Sequence, residues 1–206
     1  MMRHMTTTKK IYLLAMMVTG LLLLGCDDSK PAPAPKKTNH YETGRFALQY
    51  MIPVARLWSP DAQPITLSSS PTTESPGQDG KSGSWRAVFG SRSRQKAEPF
   101  MWSGMADAPT KVDHGVEDNF NPNNRSTMPW DLAFLKVDTD KAFEVAQQHG
   151  GKQLTEKDPK LQVLYELDWD AHSNQLRWHV IYGGSDSNSK LTVLVDASSG
   201  AFIRKE

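Results

Sequence analysis

The side chains that could act as acids, bases, nucleophiles or metal ligands are scattered along this chain. It contains six histidines and a single cysteine, Cys26. No H-E-x-x-H, G-x-S-x-G, G-x-x-x-x-G-K-[ST] or G-x-G-x-x-G motif occurs, so the spacings typical of metalloproteases, hydrolases and nucleotide-binding proteins are missing. We therefore expect no metal, no cofactor and no catalytic residues, and we predict that the protein is not an enzyme. An enzyme whose site is assembled from scattered residues remains the alternative.

Two pairs of polar residues near the C-terminus could belong to a metal site or a catalytic site. Asp168 and Asp170 could begin a calcium loop, but such a loop needs glycine at its sixth place and glutamate at its twelfth, where Ser173 and His179 stand. Glu166 and His179 could form an acid and base on adjacent strands. Opposite charges across a sheet more commonly stabilise the strand pairing. We expect both pairs to be charges on a hairpin.

Other polar and aromatic features also have structural explanations. SRSRQK, residues 91–96, is a basic hairpin tip that could meet anionic lipid or an acidic partner, although a solvated turn is the simpler interpretation. His149 lies near a predicted helix end, where it could bind carbonyl groups or interact with the helix dipole. Trp178 is expected in the core from the strand register, whereas Trp102 and Trp130 could serve an interface, although core packing is the commoner role.

Cys26 follows a segment typical of protein targeting. Three basic residues near the N-terminus precede the uncharged residues 11–25, IYLLAMMVTGLLLLG. A membrane-spanning helix needs roughly 20 apolar residues, so this run is too short to span. A basic start followed by such a run predicts a secretory signal peptide over residues 1–25.

Leu23-Leu24-Gly25-Cys26 resembles the lipobox of bacterial lipoproteins, although Leu24 is bulkier than the usual residue at its place. The resemblance implies that Cys26 is lipidated with acyl chains such as palmitate and becomes the first residue of the mature protein. Two lipid signals already give stable anchoring, so membrane lipid would be a permanent partner. Asp27 resembles the aspartate that retains enterobacterial lipoproteins in the inner membrane. An ordinary signal followed by a leftover cysteine is the alternative.

Residues 26–40 predict a linker rather than a packed structure. The segment SKPAPAPKKTNH alternates proline with alanine, which favours a semi-rigid spacer reaching on the order of 40 Å. From Cys26 onward the chain has 21 basic and 23 acidic residues, a formal net charge of −2. This balance argues against nucleic-acid binding.

The clearest fold signal lies between residues 161 and 206. LQVLYELDW, LRWHVIYG and KLTVLVD alternate apolar and polar residues, are separated by turn clusters, and are followed by AFIR. With the first turn centred on residues 171–174, one register places the apolar residues on one face: Val163, Tyr165, Leu167, Trp178, Val180, Tyr182, Leu191, Val193 and Val195. That sorting predicts an antiparallel sheet with one buried side.

A helix is predicted to cover that side. In VDTDKAFEVAQQHGG, Asp138 is a good N-cap and Gly150-Gly151 can end the helix. The expected apolar stripe comprises Ala142, Val145, Ala146 and His149, with Phe143 at its edge.

The first half of the chain repeats this plan. TGRFALQYMIPVARLW predicts a helix kinked at Pro53, followed by strands AQPITLS, WRAVFGS and AEPFMWSG and by a long flexible loop over residues 70–84. WRAVFGS at residue 85 matches WHVIYGG at residue 178, an offset of 93, which favours a duplicated module, although chance agreement remains open. The expected buried stripe of the helix comprises Ala47, Tyr50, Met51, Val54, Leu57 and Trp58. Residues 105–137 read as a loop-like connector, with a short strand in WDLAFLKVD.

The last strand ends in VLVDASSGAFIR, which resembles the PepSY domain, whose closing turn is of the Val-Asp-Ala-x-Thr-Gly type. Val195, Asp196, Ala197, Ser199 and Gly200 match it, with serine in place of threonine. The family occurs in protease propeptides and bacterial envelope proteins, and the resemblance implies a non-catalytic binding or peptidase-restraining module.

These patterns together predict an α+β protein with two helix-plus-meander modules over residues 41–104 and 138–206, and the resemblance implies that the modules are of PepSY or cystatin-like type. We expect an envelope lipoprotein on the periplasmic face of the inner membrane, acting by binding another envelope protein or a peptidase. A structural or assembly factor of an envelope complex is the alternative.

Overall fold

The computed structural model describes residues 37–184 and 189–206, which belong to one compact unit, Lys36–Glu206. The predicted signal peptide, Cys26, Asp27 and most of the linker lie outside the described residues. Within the described ranges, no helix is both long and apolar enough to cross a bilayer.

The described chain forms one antiparallel sheet of nine strands with helices on one face, so the predicted α+β class is confirmed. The strand order is β4-β3-β2-β1-β6-β7-β8-β9, and β5 also pairs with β3. The elements are α1 (Gly44–Trp58), β1 (Gln63–Ser69), β2 (Ser84–Ser91), β3 (Lys96–Ser103), β4 (Val112–His114), β5 (Asp118–Asn119), α2 (Thr139–Ala146), α3 (Lys152–Lys157), β6 (Val163–Asp170), β7 (Gln175–Tyr182), β8 (Leu191–Asp196) and β9 (Phe202–Lys205).

The predicted register of the C-terminal meander is confirmed. Leu167 pairs with Trp178 and Val163 with Tyr182 across β6 and β7. Trp178 pairs in turn with Val195 on β8. Eight of the nine residues expected on the inner face are fully buried, and Leu191 is partly buried against the same core. The alternation of apolar and polar residues was enough to predict this register, because a shift of one residue would expose all of these apolar side chains.

The N-terminal strands are built in the same way. Trp85, Ala87 and Phe89 on β2 are buried as Trp178, Val180 and Tyr182 are on β7, at the offset of 93. Each tryptophan also donates its indole N–H to the carbonyl just ahead of a helix. Trp85 Nε1 lies 2.9 Å from Glu42 O, and Trp178 Nε1 lies 2.8 Å from Val137 O.

The two meanders share one sheet and one core. β1 pairs antiparallel with β6, where Leu67 lies opposite Leu167 and Ser68 opposite Glu166. The core expectation for Trp102 and Trp130 is confirmed, since both are buried.

The buried stripe of α1 differs from the prediction. Its buried residues are Gly44, Ala47, Leu48, Met51 and Ala55. Tyr50 is 44 % exposed and Leu57 is 87 % exposed, so their predicted burial is wrong. A Cβ on Gly44 would lie 2.9 Å from the Trp178 ring, which shows that bulky sheet residues select small residues on the helix. Pro53 lies inside this helix, which continues to Trp58.

The second helix ends close to the glycine pair, as predicted. α2 ends at Ala146, the backbone at His149 and at Gly150 (φ +112°) is not helical, and α3 begins after this kink at Lys152. The His149 ring stacks on Phe202 with centroids 3.8 Å apart, and among the described residues it makes no hydrogen bond to a carbonyl group, while its expected interaction with the helix dipole stays a prediction.

The connector also departs from prediction. WDLAFLKVD forms a 3-10 turn at Leu132–Phe134 instead of a strand, because Asp131 caps it by accepting from the Ala133 N–H. The short strands β4 and β5 were not predicted, since neither carries an alternating pattern of useful length.

The loop over residues 70–84, predicted to be flexible, is tied to the C-terminal half. The Val163 N–H donates to Pro76 O at 2.7 Å, and the Tyr165 hydroxyl donates to Gly77 O. Gln78 Nε2 donates to Leu161 O at 2.9 Å. Backbone groups buried in this way must be paired, and pairing fixes the loop.

The N-termini of both long helices meet at one pair of side chains. Asp138 is the N-cap of α2, as predicted, and its Oδ1 accepts from Thr139 N at 2.8 Å. The same oxygen accepts from Arg45 N of α1 at 3.0 Å. The Thr139 hydroxyl accepts from Gly44 N at 3.1 Å and donates to Gly80 O in the fixed loop. This Asp138–Thr139 junction therefore satisfies N–H groups that each helix start leaves open.

Replacing Asp138 tests this junction. We expect Asp138→Ala to lower the free energy of unfolding by about 2 kcal/mol, because two helices lose an acceptor at once. Asp140→Ala is the matched control, since Asp140 lies in the first turn of α2 and, among the described residues, its carboxylate accepts a hydrogen bond from the next residue alone, Lys141 N. Urea titration followed by circular dichroism measures both, and equal losses would contradict the shared role of Asp138.

Candidate binding groove

The face of the sheet turned away from α1 and α2, here called the far face, carries most of the polar side chains selected from the sequence. Strand alternation places Arg86 of β2, Ser68 of β1 and Glu166 of β6 side by side across it. Asp168 and His179 belong to the same face. The far face therefore holds the polar strand residues that the sequence analysis selected as candidates for chemistry.

Four charged or titratable side chains on the far face form one network. Arg177 Nε lies 3.2 Å from Asp168 Oδ1, and Arg177 Nη1 lies 2.8 Å from Asp170 Oδ2. His179 Nε2 lies 3.1 Å from Asp168 Oδ1. Burial raises the pKa of Asp168, but the hydrogen bonds and charges of His179 and Arg177 outweigh it and hold that pKa below its ordinary value. Burial also opposes ionisation of Asp170, whose pKa is nevertheless lowered by His172, Ser173 and Arg177.

This network favours the structural interpretation of the predicted pairs. Glu166 and His179 are cross-strand partners as expected, yet the imidazole contacts Asp168. Asp168 and Asp170 are held by Arg177 rather than arranged around an empty centre. Across the described ranges, no group of three or more His, Cys, Asp or Glu side chains is placed to hold a metal ion.

The basic tip at residues 91–96 makes more hydrogen bonds and ion pairs with the rest of the chain than a solvated turn would make. Asp61 Oδ1 accepts from the hydroxyls of Ser91 at 2.7 Å and Ser93 at 3.0 Å. These bonds, Ser91 first and then the Ser93 N–H, hold the pKa of Asp61 well below its ordinary value. Arg94 donates to Trp58 O at 2.8 Å and pairs with Glu117. The simpler interpretation of the tip as a solvated turn is therefore incomplete.

A groove of about 530 Å³ lies on the far face where residues 116–127 cross the N-terminal strands. Its apolar floor and walls are formed by Ile65, Val88, Ala97, Pro99, Val116 and Phe120. The polar atoms around it belong to Thr66, Arg86, Asp118, Asn119, Asn121, Asn124 and Thr127. We call this the far-face groove.

Local sequence explains the shape of this groove. The pairing of β1 with β2 is interrupted between Pro64 and Thr66, which leaves Ile65 bulged. Gly90, which pairs with Gln63 next to the bulge, leaves room for the Phe120 ring, since a Cβ there would lie 3.0 Å from that ring. The bulge and the glycine together allow the connector to pack over one end of the sheet.

Arg86 stands at the inner end of the far-face groove. It also lines a neighbouring depression of about 210 Å³ with Ser68, Glu166 and Asp168. The side chain is exposed, and no hydrogen bond or ion pair joins its guanidinium to any residue in the described ranges. A guanidinium offers five donors in a fixed fork, so this end of the groove is suited to a carboxylate.

The sequence pattern did not single out Arg86 or the far-face groove. The alternation within WRAVFGS could have placed Arg86 on the polar face, because it stands between buried Trp85 and Ala87. The connector that forms the groove wall has no periodicity from which its path could be predicted.

Comparison with known proteins identifies a similar fold. No family model matches the sequence, and no curated protein matches it in sequence. A crystal structure of a candidate lipoprotein from Clostridium difficile is similar, with a TM-score of 0.52 and 13 % sequence identity, over 84 % of this chain and 95 % of that one. At this identity the likeness establishes a shared fold.

Removing Arg177 tests the charge network. We expect Arg177→Gln to lower the free energy of unfolding at pH 7 by about 1–2 kcal/mol, because two carboxylates lose a charged donor. The lowered folded pKa values of Asp168 and Asp170 mean that their stabilisation is present above the ordinary pKa of 3.8 and is lost as the pH falls below it. The deficit of the variant should therefore shrink below about pH 4.

Denaturant titrations at several pH values measure this difference. Arg204→Gln is the control, since Arg204 is exposed and its ion pair within the described part of the chain is with Glu206 near the C-terminus. A deficit for Arg177→Gln that stays constant down to pH 2 would show that the carboxylates are not what the arginine stabilises.

Proposed function

We propose that this chain is a membrane-anchored lipoprotein of the bacterial envelope that acts as a non-catalytic protein-binding module. The lipobox-like Leu23-Leu24-Gly25-Cys26 supports the anchor, with Cys26 as the lipidated residue and Asp27 as an inner-membrane sorting signal. The description of the structural neighbour as a candidate lipoprotein agrees with this proposal. The far-face groove, with an Arg86 guanidinium that has no partner among residues 37–184 and 189–206, is the observation that carries the binding function.

The proposal includes a tandem of PepSY-like modules over residues 41–104 and 138–206, joined by the connector 105–137. Three similarities support it. Each half places a helix on an antiparallel meander, and Trp85 and Trp178 make equivalent bonds to Glu42 O and Val137 O. The matching burial at an offset of 93 is what a duplication would leave.

The composition of the far-face groove supports a partner of a particular chemistry. Val88, Pro99 and Phe120 offer an apolar surface, while Arg86 offers a charged donor at one end. A segment that buries one apolar side chain and places a carboxylate beside Arg86 satisfies both. We therefore expect the partner to present an extended segment with an apolar residue near an Asp, a Glu or a C-terminal carboxylate.

Lipid anchoring is tested by replacing the acylated atom. Cys26→Ser should move the protein from the membrane fraction to the soluble fraction or leave it unprocessed, because serine lacks the thiol that accepts lipid. Fractionation with immunoblotting measures the distribution, and mass spectrometry of the wild-type protein measures the added acyl mass. A processed Cys26→Ser protein that remains in membranes as before would contradict the anchor.

Partner binding is tested by reversing the charge at the groove. We expect Arg86→Glu to abolish recovery of an envelope protein that the wild-type chain captures from solubilised membranes, because two carboxylates would then repel each other. Arg56→Glu is the matched control, since Arg56 is an exposed arginine on α1, outside the far-face groove.

The identity of the captured protein separates the possible roles. Recovery of a peptidase would favour restraint of proteolysis, and recovery of assembly machinery alone would favour a structural role. An unchanged set of proteins with Arg86→Glu would show that the far-face groove is not the binding surface. Turnover of a substrate by the purified chain, abolished by one side-chain change, would contradict the non-catalytic proposal.

A further inference from the structure

A second groove, on the helix side of the sheet, surrounds an unusual buried carboxylate. It has a volume of about 310 Å³ and is lined by Val54, Leu57 and Trp58 of α1, Glu98 and Phe100 of β3, and His114 of β4. We call it the Trp58 groove. Leu57 at its mouth is 87 % exposed, so a large apolar side chain faces solvent beside the opening.

Glu98 occupies a position that otherwise belongs to the core. It alternates along β3 with partly exposed residues and shares the buried face with Phe100 and Trp102. The residue is only 3 % exposed. Burying a carboxylate among aromatic rings costs free energy unless donors surround it, so its retention here calls for a partner.

The contacts of Glu98 leave half of its carboxylate open. Oε1 accepts from His114 Nδ1 at 2.5 Å, and the imidazole itself is mostly exposed. No residue in the described ranges donates a hydrogen bond to Oε2. Because Glu98 lines the Trp58 groove, a donor entering the groove can reach that oxygen.

The aromatic wall of the groove already binds a cation elsewhere on its surface. The Arg94 guanidinium carbon lies 5.0 Å from the centroid of the Trp58 ring. Glu117 accepts from Trp58 Nε1 at 2.7 Å and pairs with Arg94, which neutralises that charge. Glu98, in contrast, has no lysine or arginine partner among the described residues. An aromatic ring beside a carboxylate attracts a cation.

We propose that the Trp58 groove binds a lysine side chain presented by a partner protein. The alkyl stem packs against Val54, Leu57 and Phe100, and the ammonium donates to Glu98 Oε2. A compact ammonium fits better than a guanidinium, because a guanidinium needs two acceptors in a plane and only one carboxylate oxygen is open. This site lies on the opposite side of the sheet from the far-face groove and does not depend on the function proposed for it.

Nuclear magnetic resonance of the full-length protein in detergent micelles tests this proposal with N-acetyl-lysine methylamide as the probe. We expect a saturable shift of the Trp58 indole N–H and of the His114 ring. N-acetyl-norleucine methylamide, which has the stem without the ammonium, should produce neither shift at the same concentrations.

Two variants assign the binding to the groove. Glu98→Gln should weaken binding of the lysine probe by about tenfold, since the neutral amide keeps an acceptor for His114 but loses the negative charge. Leu57→Ala should weaken binding of the lysine probe by about threefold, because the alkyl stem loses a contact. Leu57 is exposed, so this substitution should leave folding unchanged. Glu144→Gln on α2 is the control, because that exposed carboxylate pairs with Lys141 away from the groove.

Several results would overturn the proposal. These are the absence of a saturable shift in the wild-type protein, equal affinity in Glu98→Gln and wild type with native spectra, or tighter binding of N-acetyl-arginine methylamide than of the lysine probe. Tighter binding of spermidine would assign the groove to a small free amine and would equally overturn it.

Discussion

The arrangement of the whole sheet depends on the shared acceptor at the start of its two long helices. An α-helix leaves its first N–H groups without internal partners, and a buried start must find acceptors elsewhere. Asp138 and Thr139 supply them to Gly44 and Arg45 of α1 as well as to α2 itself. This brings both helices to the same face of one sheet. The second face stays available for the charge network and the far-face groove.

The indole bonds of the two central tryptophans reinforce this arrangement. Trp85 and Trp178 are fully buried, yet each donates its N–H to the backbone just ahead of a helix. Each ring thereby supplies apolar area to the core and also fixes where a helix begins. The volume of the rings explains why a glycine begins α1, since a Cβ on Gly44 would lie 2.9 Å from the Trp178 ring and 3.1 Å from the Trp85 ring.

Strand pairing in the C-terminal half could be predicted from the sequence because one register sorts Val163 through Val195 into a single buried face. The same logic failed for α1, since hydrophobic periodicity selected Tyr50 and Leu57, whereas the buried stripe includes Gly44, Ala47 and Ala55, which carry little hydrophobic signal. It also failed for the loop over residues 70–84, whose anchors on Val163 and Tyr165 lie about ninety positions away in sequence. Glu98 and Arg86 were missed for a related reason. Their importance comes from neighbours supplied by β4 and by the connector, and no local pattern reports such neighbours.

The pairing of β1 with β6 has a consequence for how the chain acquires its structure. During synthesis β1 emerges long before β6, and until β6 arrives β1 has one unpaired edge. Such an edge is a template for association with another chain, and contacts between distant segments form slowly. The first hundred residues therefore pass through a period of vulnerability to aggregation that ends only when the final third of the polypeptide is available. A ribosome-stalled or truncated product ending before Val163 would lack both the covering strand and the anchors of the 70–84 loop, and we would count it among the species that chaperones must shield.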